Sequence, residues 1–427
     1  MTGAAALDAA VSPYVGLVPR VERVLAATAD ALVPTCVCTL ASDGRVVGTG
    51  LEHVGVTGGG GRTAAAAAAA AVGEAVERYS ATYIPADRLV YATAAELGGD
   101  AAAPERFSLF SERQHREPGF PFVPFEQRTR VPWVRGRALR DGRPAWLPAE
   151  LVFLGDLGSS SRIGYATSNG TACAPDAATA TLRGLYELVE RDAFMLVWRN
   201  RLSLPLLEWR GHRKLRELDD RYFAPSGLAY AAVDLSRVHG VPSVLGVVRA
   251  RRGPGALGVG AGTAATVGAA WWKALSEAFS THAAARRIAV VEPGIPAADG
   301  VNSFHDHIRY HASPEGARAA AFLDASGERV DVRDVPRLEA GGEIEALLDR
   351  IERAGSSAYA VDVTSPDVRR LGLHVVKTLA PELCALDVSH RARFLGGRRV
   401  LHAAAELGLL PRPLRADELN PDPHPFP

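Results

Sequence analysis

A chain of 427 residues is long enough for two or three average domains or for one large fold, and 47% hydrophobic residues give ample material for a core. Its 48 basic residues balance its 48 acidic ones, so no global field draws it to nucleic acid or to an anionic membrane. The opening MTGAAALDAAVSPYVG is not a secretory signal, and no apolar stretch is long enough to span a bilayer. The expected location is the cytoplasm.

In chain order, residues 35–53 read as a hairpin turning at Ser42-Asp43-Gly44. Cys36 and Cys38, two apart on one strand, face the same side as buried thiols. The chain has no CxxC pair or zinc-spaced Cys/His cluster. Glycines 58–61 follow, then alanines 64–71, whose helix propensity predicts a helix over 63–83. The glycine run is not a Walker A loop, which needs glycine at Val56 and lysine at Arg62. A glycine loop feeding a helix N-terminus still suits an anion.

A second hairpin is expected over 131–153, around Asp141-Gly142. Ser168-Asn169-Gly170 reads as a turn. A second helix covers 175–200, opening at Pro175 with Asp176 in its first turn. Segments 228–250 and 356–379 are strand-rich. Gly258-Val259-Gly260-Ala261-Gly262 reads as a strand-end turn rather than a dinucleotide fingerprint, and a third helix covers 264–287. His305 and His307 read as structural histidines, since no third metal ligand is recognisable nearby. The chain as a whole reads as one large α+β domain over 1–410, with mixed sheets and packed helices. A proline-rich tail occupies 411–427, and its Pro421, Pro423, Pro425 and Pro427 favour an extended rod, with a disordered tail as the alternative.

One spacing occurs twice. Glu74, Glu77 and Arg78 form E-x-x-E-R, and Glu187, Glu190 and Arg191 repeat it. On a helix each copy puts two carboxylates and a guanidinium on one face, and the third helix adds Lys273 and Glu277 four apart. A lone copy reads as an exposed ion pair. The second copy, however, sits among Leu182, Leu185, Leu188, Val189, Phe194, Met195 and Leu196, which cover most of the helix circumference. Buried acids need partners or a metal. Carboxylates for magnesium with Arg and Lys for phosphate oxygens would make a magnesium–nucleotide site without a P-loop.

These segments together resemble the YcaO superfamily. The likeness runs through GGGGRTAAAAAAAAVGEAVERYS, SNGTACAPDAATATLRGLYELVERDAFMLVWRNRL, KALSEAF, NSFHDHIRYHASPE and VDVTSPDVRRLGLHVVKTLAPEL. The closing NPDPHPFP resembles the tail of azoline-forming members. The resemblance implies that Glu74, Glu77, Glu187, Glu190 and Glu277 hold Mg2+, and that Arg78, Asn169, Arg191 and Lys273 contact ATP. It further implies that the tail brings the carboxylate of Pro427 to the site for proton transfer. The implied activity is ATP-dependent cyclodehydration of Cys, Ser or Thr in a ribosomal precursor peptide to azolines. A separate leader-binding partner protein and a homodimer are implied as well, with no nucleic-acid or membrane partner. The sequence departs from the family pattern at Ala70, Gly60 and His282, where serine, lysine and arginine are common. Two other readings remain open: a thioamide-forming member, and a non-catalytic scaffold.

Overall fold

A computed structural model describes residues 3–27, 30–40, 56–159, 162–250 and 255–427. The chain forms two compact units interleaved in sequence. The first comprises Met1–Leu25, Pro34–Leu188 and Ile351–Leu383, and the second Ala26–Val33, Val189–Arg350 and Cys384–Pro427. Both are mixed α+β structures in which helices pack on antiparallel strands.

In the first unit, strands Val21–Val24, Thr35–Thr39 and Val56–Gly60 make a three-stranded antiparallel sheet. The expected partner strands of the first hairpin thus pair, while its turn at Ser42-Asp43-Gly44 lies outside the described residues. Helix Ala64–Thr82 lies on this sheet, capped by the Thr63 hydroxyl, which accepts from the Ala66 amide. The glycine run is therefore strand rather than a phosphate-cradling loop. The reason is the closeness of the helix: a Cβ on Gly59 would lie 2.3 Å from the Ala71 nitrogen. Alanine on the helix and glycine on the strand let two backbones approach as larger residues would not. Cys36 and Cys38 are both buried on the helix side, and the Cys38 thiol reaches the Ala71 carbonyl at 3.3 Å.

The same unit holds a larger sheet in the order Leu89–Ala92, Val131–Ala138, Tyr359–Asp362, His374–Leu379, Thr171–Ala174, with Pro144–Pro148 paired to the second. The Asp141-Gly142 hairpin forms as expected, Gly142 adopting φ 72° and its amide bonding to the Ala138 carbonyl. The expected strands of 356–379 are the third and fourth members.

The second unit is built on a five-stranded sheet in the order Leu257–Thr263, Ser243–Arg249, Ala229–Asp234, Leu206–Glu208, Arg329–Asp331. Only the last pair is parallel. Helix Val267–Val291 packs across Leu257–Thr263. Gly258, Gly260 and Gly262 alternate along that strand and so share one face. A Cβ on Gly262 would meet the Ala270 carbonyl at 2.2 Å, and one on Gly258 the Ala278 carbonyl at 2.5 Å. This segment is a strand interior, not the strand-end turn its glycines suggest. Trp198, Trp271, Phe194, Phe223 and Phe426 fill the interior of the unit.

Helix Ala177–Arg199 supplies residues to both units. Asp176 is its cap rather than part of its first turn, accepting from the Thr179 amide at 2.7 Å. From Val189 onward the helix is buried almost throughout, as its apolar circumference predicts. Among the described residues no helix is long and apolar enough to cross a membrane.

Candidate functional site

Helix Ala64–Thr82 presents Glu74, Glu77 and Arg78, and the first part of helix Ala177–Arg199 presents Glu187. All four are only partly buried, open enough to meet a ligand yet shielded enough to interact strongly. Arg78 Nη2 donates to Glu74 Oε1 at 2.5 Å, the i,i+4 pair the motif predicts. Its Nε–H, by contrast, is buried with no acceptor among the described residues. Burial, with the charges of Glu187 and Glu74, pushes the Glu77 carboxyl well above its ordinary range, and Arg78 and Lys377 oppose the rise.

Lys377 was not singled out in the sequence. It lies in the strand His374–Leu379, is 2% exposed, and donates to the carbonyls of Thr167 and Asn169 at 2.6 Å each. Burial pulls its ammonium down to about 8, and the Glu187 and Glu77 carboxylates pull it back up. The available signal was a lone lysine inside the apolar run HVVKTL. Asn169 is itself buried in the turn expected at 168–170, where Gly170 has φ 74° and the Thr171 amide closes onto the Ser168 carbonyl at 2.8 Å.

Within the second unit, Glu190, Arg191, Lys273 and Glu277 come together. Glu190 is wholly buried, and Lys273 Nζ donates to its two oxygens at 2.9 and 3.2 Å. Arg191 Nη2 stands 3.8 Å from Glu190, and the Arg191 guanidinium lies over the ring of Phe426, 4.1 Å from its centroid. Glu277 Oε2 accepts from the Ala261 amide at 2.9 Å, which fixes this carboxylate to the glycine-bearing strand. Burial pushes Glu277 up to about 7, Arg191 and Lys273 pull it down, and Glu190 pushes it up further.

This shift has a measurable consequence. An unfolded Glu277 ionises near its ordinary 4.5, while the folded one holds its proton to about 7. Its contribution to stability is therefore fully present below the lower value and lost as the pH rises through the upper one. In a chelator, the urea midpoint of the wild-type protein is expected to fall between pH 5 and 7.5, and Glu277→Gln to flatten that fall. Identical profiles for the two proteins would refute the assignment.

The end of the C-terminal tail packs into the second unit, while residues 411–413 and 415–417 are exposed. His424 and Phe426 are wholly buried. The Trp198 indole N–H donates to the Asp422 carbonyl at 3.2 Å, His311 Nε2 faces the Pro423 carbonyl at 2.7 Å, and His307 Nδ1 faces the His424 carbonyl at 2.8 Å. His307, Asp387 and His424 lie close enough together to suggest a metal cluster. Their ring nitrogens are already engaged, however: His307 Nε2 by the Val388 carbonyl, His424 Nε2 by the Asp387 carbonyl and His424 Nδ1 by the Phe426 amide. His307 is thus the structural histidine expected, and it clasps the tail. His305 instead faces the Glu292 carboxylate at 3.1 Å.

A second buried acid stands beside the motif. Although burial pushes Asp192 upward, Arg399 and His239 hold it well below the usual carboxylate range. Arg399 binds both its oxygens at 2.7 Å, and His239 and the Cys384 amide complete its shell. These contacts from Arg399, His239 and Cys384 fix Asp192 in place. Of the departures, His282 is buried, and burial and the nearby Arg286 charge pull its imidazole below its ordinary range.

The donor set tests whether magnesium and a nucleotide fit. Mg2+ takes hard carboxylate oxygens and shares them with phosphate. Glu74, Glu77 and Glu187 offer such oxygens in the first unit and Glu190 and Glu277 in the second, and burial above all pushes the carboxyls of Glu77 and Glu277 up. The orphan Arg78 Nε–H is a ready donor to a phosphate oxygen. The residues fit. Carboxylates on helices with Arg and Lys beside them, in an α+β fold, are the donor types that a magnesium–nucleotide protein uses.

The family model described as YcaO cyclodehydratase, ATP- and Mg2+-binding, matches residues 58–384, and the chain belongs to that family. ATP and Mg2+ are accordingly its cofactors. No curated protein matches the sequence. Among solved structures, a heterocyclase in complex with substrate and cofactor is 24% identical with a TM-score of 0.77, covering 100% of this chain and 57% of that one. The chain thus spans little more than half the length of that heterocyclase. YcaO from Methanopyrus kandleri, bound with AMPPCP and Mg2+, is 22% identical with a TM-score of 0.62 and covers 88% of each chain. A chain of the E. coli microcin synthetase McbBCD complex with pro-MccB17 bound is 13% identical with a TM-score of 0.58, covering 85% and 87%.

Proposed function

We propose that this protein is an ATP-dependent cyclodehydratase that converts Cys, Ser or Thr of a ribosomal precursor peptide to azolines. The observation that carries the reading is the doubled E-x-x-E-R motif with Glu277, carboxylates set beside Arg and Lys side chains, in a chain of the YcaO family. In this reading Glu74, Glu77, Glu187, Glu190 and Glu277 hold Mg2+, and Arg78, Asn169, Arg191 and Lys273 bind and orient ATP. ATP supplies the phosphoryl group that lets the amide oxygen leave as phosphate after the side chain has attacked the preceding carbonyl. The protein's own part is positioning and charge neutralisation by residues already fixed before the substrate arrives. Arg191 and Lys273 neutralise phosphate oxygens, and Arg78 adds its unused Nε–H.

The tail, residues 411–427, then has a function of its own. Phe426 under the Arg191 guanidinium puts Pro427 next to a nucleotide-binding residue, which supports a role for its carboxylate as acid or base. The microcin synthetase neighbour, a complex with a pro-peptide bound, supports a peptide substrate and a separate leader-binding partner. We assign a homodimer on the family likeness alone.

The test is mass spectrometry of a cognate precursor incubated with the protein, its partner, Mg2+ and ATP. Loss of one water per modified residue, dependent on ATP, is the expected result. Exchange of oxygen for sulfur would assign thioamide formation instead. An unmodified precursor with intact nucleotide binding would make the protein a scaffold.

A further inference from the structure

Lys377 has no place in the chemistry above, yet it is one of the most expensively placed side chains in the first unit. An ammonium taken wholly out of water loses several kcal/mol of solvation unless charge and hydrogen bonds replace it. Both are supplied, from two directions. Two of its three N–H donors go to the carbonyls of Thr167 and Asn169, and its countercharges are the carboxylates of Glu187 and Glu77.

The carbonyls belong to the turn that carries Asn169. That turn is held on its other side by Thr378, the neighbour of Lys377, whose amide and hydroxyl donate to the Gly170 carbonyl at 2.7 and 2.9 Å. A Cβ on Gly170 would lie 2.6 Å from the Thr378 carbonyl, so the turn is pressed against this strand. The register places Lys377 opposite Thr171, directly beside the turn it holds. One cation thereby serves both a turn and a pair of acids that are far apart in sequence.

We propose that Lys377 is a positioning residue which ties the turn bearing Asn169 to the carboxylates of Glu77 and Glu187, so that amide and acids are in register before the magnesium nucleotide binds. The inference rests on the reading that these residues contact that ligand. Replacement by methionine takes the lysine's donors from two buried carbonyls and one cation from beside the two acids. A long neutral side chain of similar volume cannot substitute for either.

The experiment uses the full chain and two readouts. Hydrogen exchange of residues 167–171, without nucleotide, reports the turn alone. Calorimetry of Mg2+–AMPPCP binding reports the ligand, for wild type, Lys377→Met, Asn169→Ala and the double variant. Lys377→Met is expected to speed exchange across the turn and to weaken binding by about tenfold or more, the factor that 1.4 kcal/mol gives. The double variant is expected to lose less than the sum of the two single losses, because part of the lysine's effect runs through that turn. Additive losses, or unchanged exchange in Lys377→Met, overturn the proposal. If Lys377→Met does not fold, Lys377→Gln, which keeps a donor for one carbonyl but no charge, takes its place, and wild-type affinity in that variant overturns the proposal equally. Should the wild-type protein bind no Mg2+–AMPPCP, the functional reading fails, while the exchange data still decide whether Lys377 orders the turn.

Discussion

Glu190→Gln is expected to cut precursor modification by a factor on the order of 100 or more while leaving the protein folded, the scale on which loss of one preorganised electrostatic group slows an enzyme. Glutamine keeps the volume of the side chain and removes only its charge. The residue is wholly buried, so no water takes over the role of the missing oxygen. Its partner Lys273 is half exposed, with 50% side-chain exposure, so the ammonium left behind turns to solvent and the fold loses little. Function is expected to lose much more, since a neutral amide is a poor magnesium ligand and no longer fixes Lys273. The loss is measured by calorimetry with Mg2+–AMPPCP and by product mass, with thermal melting as the control for folding. Wild-type turnover in a folded Glu190→Gln protein would remove this residue from the site.

A two-glycine extension after Pro427 is expected to leave thermal stability unchanged and to slow modification by roughly 100-fold or more, the usual size of a general acid–base contribution. Extension is a sharper test than deletion. Deleting Pro427 would move the terminal carboxylate onto Phe426, which is wholly buried against Phe194 at 4.8 Å and beneath Arg191. The extension leaves that anchor in place and displaces only the charge. Phe426→Ala is the contrasting variant, expected to lower stability by about 3–5 kcal/mol through the cavity it leaves. Equal turnover with and without the extension would assign the tail a purely structural function.

How far the sequence foretold these features depends on what each residue can do. The three motif-bearing helices were legible because alanine and an apolar circumference have one dominant meaning. The E-x-x-E-R spacing was legible for the same reason: on a helix it has only one face to occupy. The glycine runs were misread because a missing Cβ serves two purposes, a loop that cradles an anion and a strand that admits a helix. Nothing local separates them at glycines 58–61 or at Gly258, Gly260 and Gly262. Lys377 escaped notice because its partners are carbonyls of residues about 210 positions away and acids on other helices, none of which forms a spacing. Two of the boundaries between the compact units fall inside helices, between Leu188 and Val189 and between Arg350 and Ile351, where no linker composition marks them.

The two glycine strands beneath their helices bear on how this protein tolerates mutation. Any replacement of a glycine adds a side chain, and at Gly59, Gly258, Gly260 or Gly262 the first added carbon already collides with helix backbone. The stretches that look most repetitive are therefore among those with the least freedom to drift. A survey of neutral variants should find those positions silent at the protein level, while the exposed pairs on the surface vary around them.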